Sequence, residues 1–197
     1  MPKLQNKIIC VFGKRGSGKS YLTQNVILPN LGGRIIIFDT LHEYEGGEIV
    51  NDFPSLFDYL EFEKRLIIFR TDRDDYFEHL CRVIYESQQN TWLVVDELDM
   101  YTSATIGDMP EYFRKIIRYG RHKGIGVVGI SRRPAALPRE VTSQSTYIIS
   151  FQQHEPRDIK YLTEFVPVEP EKFSNLPRFE YLSYNTDTGK ISGTFPE

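Results

Sequence analysis

Gly13-Lys14-Arg15-Gly16-Ser17-Gly18-Lys19-Ser20 matches G-x-x-x-x-G-K-[ST] at every fixed position. An unbroken apolar run, Ile8–Phe12, leads into it, and a helix-compatible segment follows Ser20. Strand, glycine-rich turn and helix are the context that gives this pattern its chemistry. Gly13, Gly16 and Gly18 let the backbone curl through conformations other residues resist. Loop N–H groups and the helix N-terminus then face an anion. Lys19 is placed to reach the β- and γ-phosphates of a nucleotide, and the Ser20 hydroxyl to bind Mg²⁺. The nucleotide-binding candidates are therefore Gly13, Lys14, Arg15, Gly16, Ser17, Gly18, Lys19, Ser20 and the adjoining Tyr21. A glycine-rich turn that binds nothing is the alternative, and the flanking strand and helix weigh against it.

Working outward, short β-branched runs alternate with amphipathic stretches, which predicts an α/β protein with a mainly parallel sheet flanked by helices. Strands are expected at Ile8–Phe12, Arg34–Asp39, Leu66–Arg70, 92–96, Gly126–Ser131 and Tyr147–Phe151. Several are apolar at nearly every position, as strands buried on both faces are. Helices are expected at 19–28, 54–63, 76–88, 110–119 and 157–165. Beyond Pro167, segments 179–184 and 190–195 flank Asn185-Thr186-Asp187-Thr188-Gly189 and read as a C-terminal β-hairpin docked on the main sheet. One domain is expected over 1–197, with its core at about 6–165 and an extension at about 166–197.

Trp92-Leu93-Val94-Val95-Asp96-Glu97 is an apolar strand ending in two acids. In a parallel sheet that carries a phosphate loop, ligands sit beyond the carboxyl ends of the strands. Asp96 is expected to hold Mg²⁺ through water, and Glu97 to polarise the attacking water as general base. A base on the chain itself favours hydrolysis over transfer to a small acceptor; solvated acids at a strand end are the bland reading. Asp99 reads as a cap or surface residue, and Asp39-Thr40 as a capped loop start. Trp92 and the phenylalanines at 12, 38, 57 and 69 read as core.

The 197 residues are 40% hydrophobic and 26% charged, a globular composition. Apolar runs reach about five residues, against the ~20 of a membrane span, so membrane insertion is not expected. Nor does the N-terminus look like a secretory leader. Cys10 and Cys81 form no CxxC pair and read as inert core, and His42, His79, His122 and His154 lack zinc-ligand spacing. The net charge of -3 is unevenly spread. From Tyr112 to Arg139 there are eight Lys/Arg and no Asp or Glu, which leaves 16 cations against 27 acids elsewhere. Such a block suggests a surface for phosphate, on nucleotide or nucleic acid, or else a solvated helix face.

Within that block, Tyr119-Gly120-Arg121-His122-Lys123-Gly124-Ile125-Gly126 leads into a strand followed by Ser131-Arg132-Arg133-Pro134. A helix ending in G-R-x-x-G-[IL]-G, a strand, then S-x-R-P resembles the FtsK–HerA superfamily of DNA-pumping ATPases. Leu137-Pro138-Arg139-Glu140-Val141, the stretch Ser143 to Ile149 and Glu155-Pro156-Arg157-Asp158 are also similar to that family, so the resemblance runs from about residue 6 to 165. It implies a RecA-like (ASCE) P-loop core with an extra strand between the strands of the two motifs. It further implies a ring of identical subunits, usually a hexamer, with ATP at subunit interfaces and duplex DNA in a basic channel. Arg121 matches the arginine that completes a neighbour's site; a cation complementing a helix C-terminus is the alternative. At Arg132 the family usually has Gln, so either Arg132 senses phosphate as a charge, or Ser131 takes over the role, or Arg132 is a plain surface cation. Arg114, Lys115, Arg118 and Lys123 are the candidates for DNA contact, or they coat a helix.

The chain has room for neither the membrane and winged-helix modules nor the barrel of the cellular pumps. Its length is similar to the genome-packaging ATPases of membrane-containing icosahedral viruses. The expectation is an ATP-driven translocase that pushes double-stranded DNA into a preformed capsid, with capsid or portal vertex proteins as partners. It would work in the host cytoplasm and associate with virions. A stand-alone HerA-like translocase, a filamentous-phage assembly ATPase, a slow nucleotide-dependent switch and a small-molecule kinase are the alternatives.

Overall fold

Side chains of β1 (Ile8–Phe12) alternate between two apolar clusters: Cys10 and Phe12 face one, Ile9 and Val11 the other. The same split recurs along β5 (Thr91–Val95), with Leu93 and Val95 on one side and Trp92 and Val94 on the other. Strands buried on both faces need helices on both faces, and the fold is built accordingly. The computed structural model describes residues 4–62, 64–103 and 109–195. The remaining strands are β2 (Arg34–Asp39), β3 (Glu48–Val50), β4 (Leu66–Arg70), β6 (Gly126–Ser131), β7 (Tyr147–Phe151), β8 (Tyr181–Asn185) and β9 (Lys190–Ser192). They form one sheet in the order β3-β4-β2-β5-β6-β1-β7-β8-β9. Pairings from β3 through β7 are parallel, and β7–β8 and β8–β9 are antiparallel. β6 thus separates β1, which leads into the phosphate loop, from β5, which ends at the acid pair, as the family resemblance implied.

One face is covered by the helices Phe53–Glu61, Tyr76–Ser87, Glu111–Tyr119 and Pro156–Thr163, which bury Leu56, Phe77, Ile84, Phe113, Ile117 and Leu162. The other is covered by helical residues 19–30, which contribute Leu22, Ile27 and Leu28 beside Trp92. Residues Thr23–Ile27 form a π-helical stretch ahead of Pro29, which has no N–H to donate. Side-chain amides of Asn25 and Asn30 donate to the carbonyls of Tyr21 and Val26 at 3.0 and 2.8 Å, satisfying acceptors there.

Differences from the sequence-based expectation have local causes. β5 ends at Val95 rather than 96, because the Asp96 carboxylate accepts the Glu97 N–H at 2.9 Å and Glu97 turns left-handed. The helix expected at 54–63 is Phe53–Glu61, capped by the Asp52 carboxylate accepting the Ser55 N–H at 2.8 Å; Glu63 lies outside the described residues. Phe57, expected in the core, is 48% exposed, since the stripe facing the sheet is Phe53, Leu56 and Leu60. The short strand β3 and the one-turn helices Arg139–Ser143 and Glu171–Ser174 have too few residues to show a period. The hairpin is present, but β8 pairs directly with β7, so it extends the sheet.

Candidate active site

The phosphate loop leaves β1 at Phe12 and enters the helix at Lys19, with Gly18 as its N-cap at φ 107°, a left-handed conformation that suits glycine. Gly13 is confined as well: a Cβ there would lie 2.5 Å from Ser17 Oγ and 2.9 Å from Phe151 Cβ. The loop closes through Ser17 N–H donating to the Lys14 carbonyl at 3.2 Å. The Lys19 ammonium reaches back toward that same carbonyl at 3.4 Å, which holds it inside the loop's curl.

Parallel pairing brings the carboxyl ends of β1, β5 and β6 together, and with them Lys19, Ser20, Asp96, Glu97 and Arg132. A cavity of about 640 Å³ opens there, bordered by Lys19, Ser20, Glu43, Glu97 and Arg132. Asp96 is buried, with Oδ1 on the Glu97 N–H and Oδ2 without a hydrogen-bond partner among the described residues. Burial, with the Glu97 charge next, pushes its carboxyl from 3.8 up to about 6. Burial also lowers the pKa of Lys19, against the opposing pull of Glu97 and Asp96. Glu97 sits at φ 51°, ψ 47°, where a residue with a side chain is strained. Its carboxylate is buried and accepts from Arg132 Nε at 2.7 Å.

Ser131 does not border this cavity. Its hydroxyl accepts the Arg133 N–H at 3.0 Å and donates to the Arg133 carbonyl at 3.2 Å, so it shapes the turn that presents Arg132. Arg133 points elsewhere, to Asp158 and Glu155 at 2.7 and 2.8 Å, tying the turn to the helix Pro156–Thr163. Asp39 caps a loop as expected, accepting the Glu43 N–H at 3.0 Å and pairing with Arg70 at 3.1 Å. The loop it holds carries Glu43, whose carboxylate accepts the Ser20 hydroxyl at 2.7 Å, and Tyr44, whose phenol is pushed up by burial and by nearby Asp96. Neither Glu43 nor Tyr44 belongs to a motif. Only the cap at Asp39, which folds the loop back, could have hinted at them.

The remaining candidates lie apart. Arg121 is exposed and precedes β6, whereas the phosphate loop follows β1; these strands run parallel, so Arg121 stands at the opposite edge of the sheet, a strand length of ~17 Å away. Lys115 pairs with Glu111 at 2.6 Å and Arg118 with Glu140, while Lys123 donates to the Tyr85 carbonyl at 2.6 Å. Arg114 donates to the Met109 carbonyl at 2.9 Å. Lys14 faces Gln152 at 3.5 Å, and Arg15 borders the cavity. Cys10 and Cys81 are buried thiols, Cys10 pushed up to about 12 by desolvation.

Two groups test whether Mg²⁺ suits this pocket. The orphaned, buried Asp96 Oδ2 and the Ser20 hydroxyl beside Glu43 are oxygen donors of the hard kind that Mg²⁺ takes. Among the described residues, no group of three or more His, Cys, Asp or Glu is placed to hold a metal unaided. That fits an ion shared with substrate phosphates, as Mg²⁺ commonly is. Among the described residues, no helix is long and apolar enough to cross a membrane.

No protein-family model and no curated protein matches the chain. Solved structures do. The genome packaging NTPase B204 from Sulfolobus turreted icosahedral virus 2, in complex with ATP-gammaS, is 24% identical with a TM-score of 0.79, covering 98% of this chain and 96% of that one. B204, the DNA-packaging ATPase from Sulfolobus Turreted Icosahedral Virus, is 22% identical at TM-score 0.77, covering 98% and 97%. VirB4 of Thermoanaerobacter pseudethanolicus is 14% identical at TM-score 0.68, covering 94% and 87%. The chain therefore shares the fold of these proteins, a P-loop core with a C-terminal hairpin, over nearly its whole length.

Proposed function

We propose that the protein is an ATPase that couples hydrolysis to movement of double-stranded DNA, and that its task is packaging a viral genome into a preformed capsid. The observation that carries the ATPase reading is the meeting of Lys19, Ser20 and Glu97 around one cavity, with the buried Asp96 charge close enough to act on Lys19. The near-complete mutual coverage with B204 supports the packaging reading.

On this reading the loop's N–H groups and Lys19 hold the β- and γ-phosphates of ATP. Ser20 and Asp96 hold Mg²⁺, which neutralises phosphate charge when bound. Glu97 takes a proton from the water that attacks the γ-phosphorus. Arg132, hydrogen-bonded to Glu97 and exposed to the cavity, can transfer its charge to the γ-phosphate. Binding of the triphosphate then frees the base that Arg132 had held. Ser131 acts through the turn. Arg121 cannot serve its own phosphate loop from the far edge of the sheet, which favours the arrangement in which it completes a neighbour's site in a ring, a hexamer by family resemblance. Capsid or vertex proteins would be the ring's further partners.

Steady-state ATP hydrolysis with and without duplex DNA, over a range of protein concentrations, tests this directly. The expected result is turnover that rises with DNA, climbs cooperatively with protein and vanishes in Glu97→Gln. Slow turnover indifferent to both would instead support a nucleotide-dependent switch.

A further inference from the structure

Past Gly18 the phosphate cavity adjoins a second cleft of about 430 Å³, walled by Tyr21, Val26, Phe151, Phe179 and Tyr181. Gly18, Tyr21 and Phe179 border both spaces, so the two adjoin. Glu97 and Arg132, which mark the γ-phosphate end, border only the first. The second therefore lies toward the other end of a bound nucleotide. Among the described residues, every side chain in its wall is aliphatic or aromatic, and tyrosine hydroxyls are the sole polar side-chain atoms.

Two of its rings are left open to solvent, Tyr21 at 73% and Phe179 at 59% exposure. Phe179 is held there against its backbone preference, at φ 69°, a value that bulky residues rarely adopt. Glu180 N–H donates to the Pro177 carbonyl at 3.1 Å across that turn, and the Arg178 guanidinium lies 4.5 Å over the Phe179 ring. The ring rests on the phosphate loop itself: a Cβ on Gly18 would lie 3.5 Å from Phe179 Cδ1 and 3.4 Å from Phe151 Cε1. A strained residue that leaves an aromatic ring largely exposed beside the last loop glycine suits a flat apolar occupant.

We propose that this cleft receives the base of the bound nucleoside triphosphate, with Phe179 and Tyr21 as its stacking surface, and that it selects weakly among bases. The inference rests on the ATPase reading above and extends it to substrate class. Stacking engages the π-face that every base has, so it tolerates sequence changes in the ligand. Strong discrimination needs polar groups aimed at base edges, and the side chains of this wall offer few. The segment before β8 thereby gains a role within its own subunit.

Calorimetric titration of the full-length chain with ATP, GTP and inorganic tripolyphosphate, each with Mg²⁺, tests it. ATP and GTP should bind within about three-fold of each other, and both about ten-fold more tightly than tripolyphosphate. Phe179→Ala should weaken both nucleotides about ten-fold and leave tripolyphosphate unchanged, while Phe179→Trp should retain nucleotide affinity. Unchanged nucleotide affinity in Phe179→Ala, or an equal loss for tripolyphosphate, would overturn the stacking role. A preference for one purine of about fifty-fold or more would overturn weak selection. Failure of both tripolyphosphate and ATP to bind the unaltered chain would sink the ATPase reading, and the base cleft with it.

Discussion

The carboxyl ends of β1, β5 and β6 and the basic segment around the helix Glu111–Tyr119 are both charged, but their charges are kept in opposite ways. At the strand ends Lys19, Asp96 and Glu97 are buried, one carboxylate oxygen of Asp96 has no hydrogen-bond partner among the described residues, and the pKa values of Lys19 and Asp96 shift because of burial. Along the basic segment Lys115 and Arg118 lie in solvent beside carboxylates, and Lys123 rests on a backbone carbonyl. Buried charge with unfilled valence is costly and persists where a ligand completes it. Solvated, paired charge is nearly neutral to stability and implies no ligand. The richer cluster in the sequence is thus the poorer pointer to chemistry.

The comparison breaks most visibly if the buried set can be removed without loss. Glu97→Gln should lower ATP turnover by about 10²–10⁴-fold while leaving nucleotide affinity close to that of the unaltered chain. Lys19→Ala should abolish both, since it removes a phosphate contact made before and during hydrolysis. Turnover assays paired with nucleotide titrations separate these outcomes. A glutamine variant with turnover intact would remove Glu97 from the reaction.

Arg132 comes next, because it touches the buried set from the solvent side. If its charge moves from Glu97 to the γ-phosphate, Arg132→Ala should slow turnover by about 10²-fold. Arg132→Gln, which restores the residue usual in the resembling family, should recover much of that loss. Alanine and glutamine variants equal to the unaltered chain in single-turnover hydrolysis would make the 2.7 Å pair with Glu97 a resting contact only.

The sequence disclosed the buried set well and its surroundings poorly, for a physical reason. Lys19, Asp96 and Glu97, with the half-buried Ser20 beside them, lie just past the points where an apolar strand stops, and that change of texture is local and readable. Six strands were placed from such texture, since double-faced burial leaves few polar interruptions. Glu43 and Phe179 reach the cavity through loops whose path depends on contacts distant in sequence: the Asp39 cap and its Arg70 pair for one, the pairing of β8 with β7 for the other. Phe57 failed in the opposite sense. Its hydrophobicity is visible, but the helix presents it off the buried stripe.

A smaller effect should appear in stability, where Asp96 carries a signature that the basic segment cannot. With its folded pKa raised from 3.8 to about 6, the native state keeps a proton that the unfolded chain has released between those values. Stability is therefore lost as pH rises through that window and stays lower above it. Asn carries no charge and retains an oxygen for the Glu97 N–H. In EDTA, Asp96→Asn should be more stable than the unaltered chain by about 1–3 kcal/mol at pH 7.5, with the two converging near pH 4. Equal melting curves at pH 7.5 would mean that the site tolerates the buried charge without cost.

The smallest effect is expected from the basic segment. Lys115→Ala and Arg118→Ala, singly and together, should leave the melting temperature and DNA-independent ATP turnover unchanged, because exposed pairs contribute little. Their bearing on DNA is the sharper question. A cation already facing Glu111 or Glu140 brings that acid with it to any phosphate it approaches. Removing it should change the slope of log affinity against log salt by well under the ~1 expected for each freely contributed phosphate contact. A full unit lost per substitution would mean that these pairs open to admit DNA, and that the acids act as place-holders for phosphate. In that case the two regions would share one design, a charge held by a temporary partner until its ligand arrives, with Arg132 and Glu97 as its buried form.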